Sequence, residues 1–158
     1  MGIELGSQLQ DYSKDKVLKT ADGTEINLSS LIGQVVVVFF YPKADTAVCT
    51  KEACGFRDNY SAFKDCGATV LGISSDTPEA NAKWAKAQRL PFPLASDPGG
   101  ELRKAWGIKG GLLGLVPGRE TLVFDKSGKC VFTERSALNA GKHVNGALKV
   151  IQELSAGK

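Results

Sequence analysis

The sequence predicts an α/β fold in which a central mixed β-sheet is flanked by helices. Apolar runs typical of buried strands alternate with helical periodicity through much of the chain, and a strand hairpin and an amphipathic helix follow them. The length of 158 residues, with 42% hydrophobic and 23% charged residues, is typical of one globular domain. We therefore treat residues 1–158 as a single domain.

The clearest element is the apolar run from Val35 to Tyr41, which is rich in β-branched residues. Such a run predicts a strand buried on both faces, and Pro42 ends it. Before it, two short extended pieces flank a turn between Lys16 and Asn27 and predict an N-terminal hairpin. Ser29–Gly33 predicts a short turn of helix that ends at its glycine.

A helix is predicted from Thr50 to Lys64, because apolar residues recur there at steps of three and four. The later elements carry similar periodic or capping signals. They are a strand at Thr69–Ser74, a helix at Pro78–Gln88, a short strand at Leu94–Ser96, a short helix at Gly100–Trp106, a hairpin of Glu120–Asp125 with Lys129–Arg135, and a closing helix at Gly141–Leu154. This order is that of a thioredoxin-like fold, which by itself does not define a function.

Composition and charge argue against several classes of protein. The net charge is +3, and basic residues are scattered among acidic ones, which is typical of a mixed surface and not of a nucleic-acid interface. The longest apolar run is far shorter than the roughly 20 residues that span a bilayer. The first residues show no targeting pattern. We therefore expect no nucleic-acid or membrane partner, and the sequence leaves the compartment open.

The chain has four cysteines and one histidine, His143. It lacks the paired spacings of metal sites, so we expect neither a metal nor a cofactor. A single histidine also disfavours Cys–His and Ser–His–Asp catalysis. We predict that His143 lies on the surface, that Cys66 and Cys130 are structural, and that Trp84 and Trp106 pack in the core.

Cys49 is the candidate nucleophile, because a helix is predicted to begin beside it. Unpaired N–H groups and the helix dipole stabilise a thiolate there. Thr46 lies three residues earlier, so its hydroxyl can turn toward the sulfur or a bound oxygen. Cys54 follows five residues later, an offset of about 7.5 Å and 140° on a helix. Since a disulfide needs Cα atoms roughly 4.4–6.8 Å apart, a bond between these cysteines requires the helix to unwind.

The string Pro42-x-x-x-Thr46-x-x-Cys49 resembles the active-site signature of the peroxiredoxins. The stretch from Phe39 to Tyr60 is similar to the peroxiredoxin Q, or bacterioferritin comigratory protein, subfamily, and Val116–Thr121 carries a second match. The resemblance covers about residues 3–154. It implies a thiol peroxidase that reduces hydrogen peroxide and organic hydroperoxides, with thioredoxin or glutaredoxin as reductant. It also favours a monomer, in the bacterial cytoplasm or in plastids.

The same resemblance implies a role for each residue of the motif. Cys49 corresponds to the peroxidatic cysteine, Cys54 to the resolving cysteine, and Thr46 to the hydroxyl partner. Arg119 corresponds to the arginine of the site, and Pro42 shields the pocket from water. One departure is Ala47-Val48, where the subfamily usually has Pro-Gly.

Some alternatives stay open at this point. Glu52 either holds Arg57 or another basic group near the site, or is an exposed acid of the first helical turn. The glycine-rich segment Lys109–Pro117 could line the pocket, dock a reductase or be flexible. A thioredoxin-like disulfide oxidoreductase is disfavoured by the CxxxxC spacing of Cys49 and Cys54. An oxidation-triggered redox sensor or holdase is the other alternative.

Overall fold

The computed structural model describes residues 2–14, 16–108 and 118–156. Within these ranges it shows one seven-stranded mixed sheet, with the strand order β2-β1-β5-β4-β3-β6-β7. The strands are β1 (Val17–Thr20), β2 (Glu25–Asn27), β3 (Val35–Phe40), β4 (Ala68–Ser74), β5 (Leu94–Ser96), β6 (Glu120–Phe124) and β7 (Cys130–Glu134). The predicted α/β architecture, with its N-terminal hairpin of β1 and β2, is confirmed.

Helices cover the sheet. They are α1 (Gln10–Ser13), α2 (Ala47–Asp58), α3 (Tyr60–Asp65), α4 (Pro78–Gln88), α5 (Glu101–Ala105) and α6 (Ala140–Ala156), with 3₁₀ turns at Leu28–Leu31 and Pro98–Gly100. The helix α4 has the predicted bounds, because Thr77 caps it and Pro78 occupies its first turn. No helix in the described ranges is both long enough and apolar enough to cross a bilayer.

The prediction of one helix from Thr50 to Lys64 is wrong in two respects. The helix α2 begins at Ala47, three residues earlier, and Asn59 separates it from α3. The backbone N–H and the side-chain amide of Asn59 both donate to the carbonyl of Gly55, at 3.2 and 2.8 Å. An asparagine side chain that competes for backbone acceptors in this way favours a break in the helix.

Among the described residues, two hydrophobic cores lie on opposite faces of the sheet, and β3 contributes to both. Alternate residues of β3, such as Val37 and Phe39, pack with α2 and α6, while Val38 and Phe40 pack against Trp106 on the other face. All six residues of β3 are buried, as predicted for a strand covered on both faces. Trp84 and Trp106 are buried as well, so the packing role predicted for them is confirmed.

The pairing of β3 with β6 determines where distant parts of the chain meet. The two strands are antiparallel, and Phe40 at the end of β3 pairs with Glu120 at the start of β6. The residue before β6 therefore lies beside the segment that follows β3. This register brings Arg119 to the same edge of the sheet as Pro42 and the start of α2.

Candidate active site

Cys49 lies in the first turn of α2, which begins at Ala47 after the N-cap residue Thr46. Its position among the unpaired N–H groups of the helix start is the one predicted from the sequence. The residue is 0% exposed. Its sulfur is therefore closed to solvent in this conformation, because Cys49 packs into the core between the sheet and the helices.

Arg119 reaches the sulfur of Cys49 across a separation of 70 residues. Its Nη2 donates to Cys49 Sγ at 3.2 Å, and its Nη1 donates to Glu52 Oε1 at 2.7 Å. Its Nε donates to the carbonyl of Ala137 at 2.9 Å. These three contacts hold the 8% exposed arginine in one orientation, with part of its charge directed at the sulfur.

Thr46 and Pro42 lie next to this pair but make other contacts. Thr46 is exposed, and its hydroxyl donates to the carbonyl of Lys43 at 2.7 Å, not to the sulfur of Cys49. Pro42 is half-buried and directly follows Tyr41. The structure thus brings Cys49 and Arg119 into contact and leaves Thr46 at the rim of the site.

Glu52 is buried, which excludes the exposed first-turn acid that the sequence left open. Its basic partner is Arg119, whereas Arg57 pairs with Asp58 and donates to the carbonyl of Gln88. The position of Glu52, one turn after Cys49 on α2, places both side chains toward Arg119. The guanidinium of Arg119 therefore contacts two side chains of α2, the thiol of Cys49 and the carboxyl group of Glu52.

His143 is 0% exposed, so the prediction of a surface histidine is wrong. Its Nδ1 lies 2.8 Å from Thr121 Oγ1 and 3.3 Å from Glu52 Oε2. Its Nε2 lies 2.7 Å from the carbonyl oxygen of Ser136. The missed signal is helical periodicity, because the residue shares the buried face of α6 with Val144, Ala147 and Ile151.

The hydrogen bonds of this buried cluster depend on the protonation states of Glu52 and His143. The Ser136 carbonyl only accepts, so Nε2 of His143 carries a proton, and Nδ1 of a neutral ring accepts from the Thr121 hydroxyl. When the Thr121 hydroxyl instead donates its one proton to Glu52 Oε2, 3.2 Å away, that proton is not available to Nδ1 of His143. The cluster is fully hydrogen-bonded when Glu52 is protonated, or when His143 is doubly protonated.

The pKa shifts of the two groups favour the first of these states. Burial raises the pKa of Glu52 to about 7, although Arg119 acts in the opposite direction. Burial also lowers the pKa of His143, although its bond to the Ser136 carbonyl acts in the opposite direction. Both shifts favour neutral side chains. With Glu52 protonated, the guanidinium of Arg119 remains the counter-charge for a thiolate at Cys49.

A dependence of stability on pH follows from the raised pKa of Glu52. Because the unfolded value is 4.5 and the folded value about 7, folding takes up a proton between them. The contribution of Glu52 to stability is thus complete below pH 4.5 and is lost as the pH rises to about 7. We expect Glu52→Gln to remove this loss, so that its unfolding free energy relative to wild type increases across that window.

Urea unfolding at several pH values measures this difference. His143 titrates in both proteins, so its opposite contribution largely cancels in the comparison. The matched control is Glu153→Gln, the same change at an exposed position of α6. A difference between Glu52→Gln and wild type that stays constant from pH 4.5 to 7 contradicts the assignment.

Cys54 lies on the same helix as Cys49 but contacts a different part of the protein. Its half-buried thiol donates to Gln88 Oε1 at 3.4 Å, and all four cysteines are free. In this structure α2 is intact, and Cys49 and Cys54 are not bonded to each other. Cys66 ends α3, and burial raises the pKa of Cys130 to about 11, which makes its thiol a poor nucleophile at neutral pH.

Two further expectations from the sequence concern the glycine-rich segment and metal binding. Lys109–Pro117 lies outside the described residues, as do Val116 and Pro117 of the second sequence match. In the ranges 2–14, 16–108 and 118–156, no group of three or more His, Cys, Asp or Glu residues is arranged to hold a metal ion.

Comparisons with known proteins agree with this fold. The model of the AhpC/TSA family matches residues 9–133. Chloroplastic peroxiredoxin Q of Populus jackii is 46% identical over 137 residues, 87% of this chain and 64% of that protein. The Sedum lineare protein of the same name is 45% identical, over 87% of this chain and 74% of the relative. This chain thus spans less than two thirds of the length of the Populus relative.

Solved structures show the same similarity. Peroxidoxin BcpB of Mycobacterium tuberculosis superposes with a TM-score of 0.85 at 35% identity, over 96% of this chain and 98% of that chain. Peroxiredoxin Q of Xanthomonas campestris superposes with a TM-score of 0.84 at 26% identity, over 97% of each chain. The chain belongs to the AhpC/TSA family. Its similarity to the peroxiredoxin Q proteins confirms the resemblance read from the motif, and the thioredoxin-like fold is confirmed with it.

Proposed function

We propose that this protein is a thiol peroxidase that reduces hydrogen peroxide and organic hydroperoxides, with Cys49 as the attacking residue. The observation that carries the proposal is the contact of Arg119 Nη2 with Cys49 Sγ, 3.2 Å long and located at the start of a helix. A thiolate there interacts with a fixed cation and with unpaired N–H groups. The reaction of such a thiolate with a peroxide explains the need for both the guanidinium and the N–H groups of the helix start.

In the first step the thiolate of Cys49 attacks one oxygen of the peroxide. An S–O bond forms, the O–O bond breaks, and the second oxygen leaves with the bonding electron pair and takes up a proton. The products are a sulfenic acid on Cys49 and water or an alcohol. Since negative charge moves from sulfur to oxygen, a guanidinium beside the sulfur stabilises the transition state along that path.

Thr46 is suited to orient the peroxide from the rim of the site. Its hydroxyl donates to the Lys43 carbonyl, so its lone pairs are available to accept from a peroxide O–H. Because Cys49 is fully buried, a peroxide reaches the sulfur only when the segments around it open locally. We assign Pro42, at the end of β3, to limiting the access of water.

The second step uses Cys54. Its thiol displaces the sulfenic hydroxyl of Cys49, which forms a disulfide and releases water. Both cysteines belong to the intact helix α2, so the helix has to unwind and the thiol of Cys54 has to leave Gln88. A dithiol protein such as thioredoxin or glutaredoxin then reduces the disulfide by exchange and becomes oxidised itself. Since Cys54 belongs to the same chain, this cycle works in a monomer.

The proposal is tested by mixing the reduced protein with one equivalent of hydrogen peroxide and mapping all four thiols by mass spectrometry. We expect loss of the peroxide and a disulfide between Cys49 and Cys54. With thioredoxin, its reductase and NADPH, we expect continuous turnover. A bond from Cys49 to Cys66 or Cys130 overturns the assignment of Cys54, and peroxide that persists overturns the proposed function.

The same samples distinguish the alternatives. Reduction of insulin disulfides without consumption of peroxide indicates a disulfide oxidoreductase. Slow peroxide turnover, together with binding of unfolded client proteins only after oxidation, indicates a redox sensor or holdase.

A further inference from the structure

Arg103 on α5 is a buried cation to which the proposed reaction assigns no role. It is 7% exposed. Burial of an arginine is costly unless partners compensate for the lost water. The partners of this side chain therefore indicate what its burial accomplishes.

The guanidinium of Arg103 joins two backbone segments that lead into the active site. Its Nη2 donates to the carbonyl of Tyr41 at 3.0 Å, and its Nη1 donates to the carbonyl of Gly118. Tyr41 directly precedes Pro42 and the loop that leads to Cys49, and Gly118 directly precedes Arg119. One planar side chain thus bridges the two segments whose separation sets the contact between Arg119 and Cys49.

The helix that carries Arg103 is itself anchored to the sheet. Asp97, which follows β5, accepts from the backbone N–H groups of Leu102 and Arg103 through its two carboxylate oxygens, at 2.9 and 3.0 Å. The N–H of Asp97 donates to the carbonyl of Ser74 at the end of β4, at 2.7 Å. The guanidinium also lies over the ring of Phe40, 5.6 Å from its centroid. These contacts hold Arg103 at both ends.

The charge of Arg103 offers a second way to influence the site. It interacts electrostatically with Asp97, Cys49 and Asp76, but hydrogen bonds to the sulfur come from Arg119 in the described ranges. A bridging role and a purely electrostatic role make different demands on the side chain. A bridge needs the two parallel donors of a guanidinium, whereas an electrostatic role needs only a positive charge.

We propose that Arg103 is a positioning residue that fixes Arg119 relative to Cys49 by holding the carbonyl groups of Tyr41 and Gly118. This inference rests on the peroxidase function proposed above. Alignment of Arg119 matters most when charge moves onto the leaving oxygen of a peroxide. It matters less for alkylation of the thiolate, in which no charge develops on a peroxide oxygen.

The test compares Arg103→Met and Arg103→Lys with the control Lys104→Met, which removes an exposed cation from the same helix. Single-turnover oxidation by hydrogen peroxide is followed by intrinsic tryptophan fluorescence, which includes that of Trp84, whose indole donates to Thr50 beside Cys49. Alkylation by iodoacetamide is measured on the Cys49 peptide by mass spectrometry. We expect both Arg103 variants to slow oxidation about 10- to 100-fold, with a smaller effect on alkylation, and Lys104→Met to match wild type.

Three results overturn the inference. A Lys variant at the wild-type rate shows that charge alone matters. Equal losses in oxidation and alkylation show that the thiolate, and not the alignment of Arg119, has changed. A lower melting temperature with unchanged rates shows a purely structural role. If Arg103→Met does not fold, the Lys variant decides the question alone, and a wild-type protein inert to peroxide refutes the proposed function first.

Discussion

Cys49→Ser is expected to reduce the rate of peroxide consumption to the rate measured without the protein. A serine hydroxyl stays protonated at neutral pH, and neither Arg119 at 3.2 Å from the sulfur nor the start of α2 is enough to ionise it. The substitution changes one atom in a fully buried position, so the fold is expected to persist. A coupled assay with excess thioredoxin, its reductase and NADPH measures the loss.

The controls for this variant distinguish the attacking thiol from the other cysteines. Cys54→Ser is expected to react once with peroxide and then to stop as sulfenic acid or to be oxidised further, which mass spectrometry detects. Cys66→Ser is expected to keep the wild-type rate. Peroxide turnover that survives Cys49→Ser and is lost in another cysteine variant would place the reaction at a different sulfur.

Arg119→Met is expected to slow the reaction with peroxide by about 100- to 1,000-fold, the effect typical of removing one preorganised donor from a transition state. The loss combines two causes. The thiolate loses the cation 3.2 Å away, and the leaving oxygen loses the guanidinium that we propose stabilises its developing charge. The rate constant for sulfenic acid formation in single turnover, measured against pH, reports both effects.

This variant also breaks the buried pair with Glu52, an effect that has to be separated from catalysis. Removing one partner of such a pair typically costs about 3–5 kcal/mol, less here because Glu52 is readily protonated. The double variant Glu52→Gln with Arg119→Met leaves no carboxylate unpaired. We expect it to recover stability in urea unfolding and to remain slow with peroxide. Recovery of the rate together with stability would show that Arg119 acts only through folding.

The contact between Cys49 and Arg119 could be anticipated because two kinds of information agree. The motif around Pro42 and Thr46 marks the cysteine, and the second match marks the arginine. The fold then brings them together through the pairing of Phe40 with Glu120. Local patterns of this kind predict buried strands and helix starts because these features depend on residues that are close in the sequence.

The buried cluster of Glu52, Thr121 and His143 could not be predicted in the same way. In the sequence, His143 is a polar residue near the predicted start of a helix. Its contact with Glu52 becomes evident only from the packing of α6 against α2. Thr121 belongs to a buried strand, and the sequence alone does not show which polar groups its hydroxyl contacts. Partnership between buried polar groups depends on tertiary contacts, which one sequence does not contain.

The break at Asn59 limits how far oxidation can disturb the protein. Both cysteines of the proposed disulfide lie in α2, and α3 is a separate helix that packs through the buried Phe63. We therefore expect that the amide protons of Ala47–Asp58 become open to exchange with solvent deuterium when the proposed disulfide forms. We expect those of Tyr60–Asp65 to stay protected, so that the loss of order is confined to one cooperative unit of the chain.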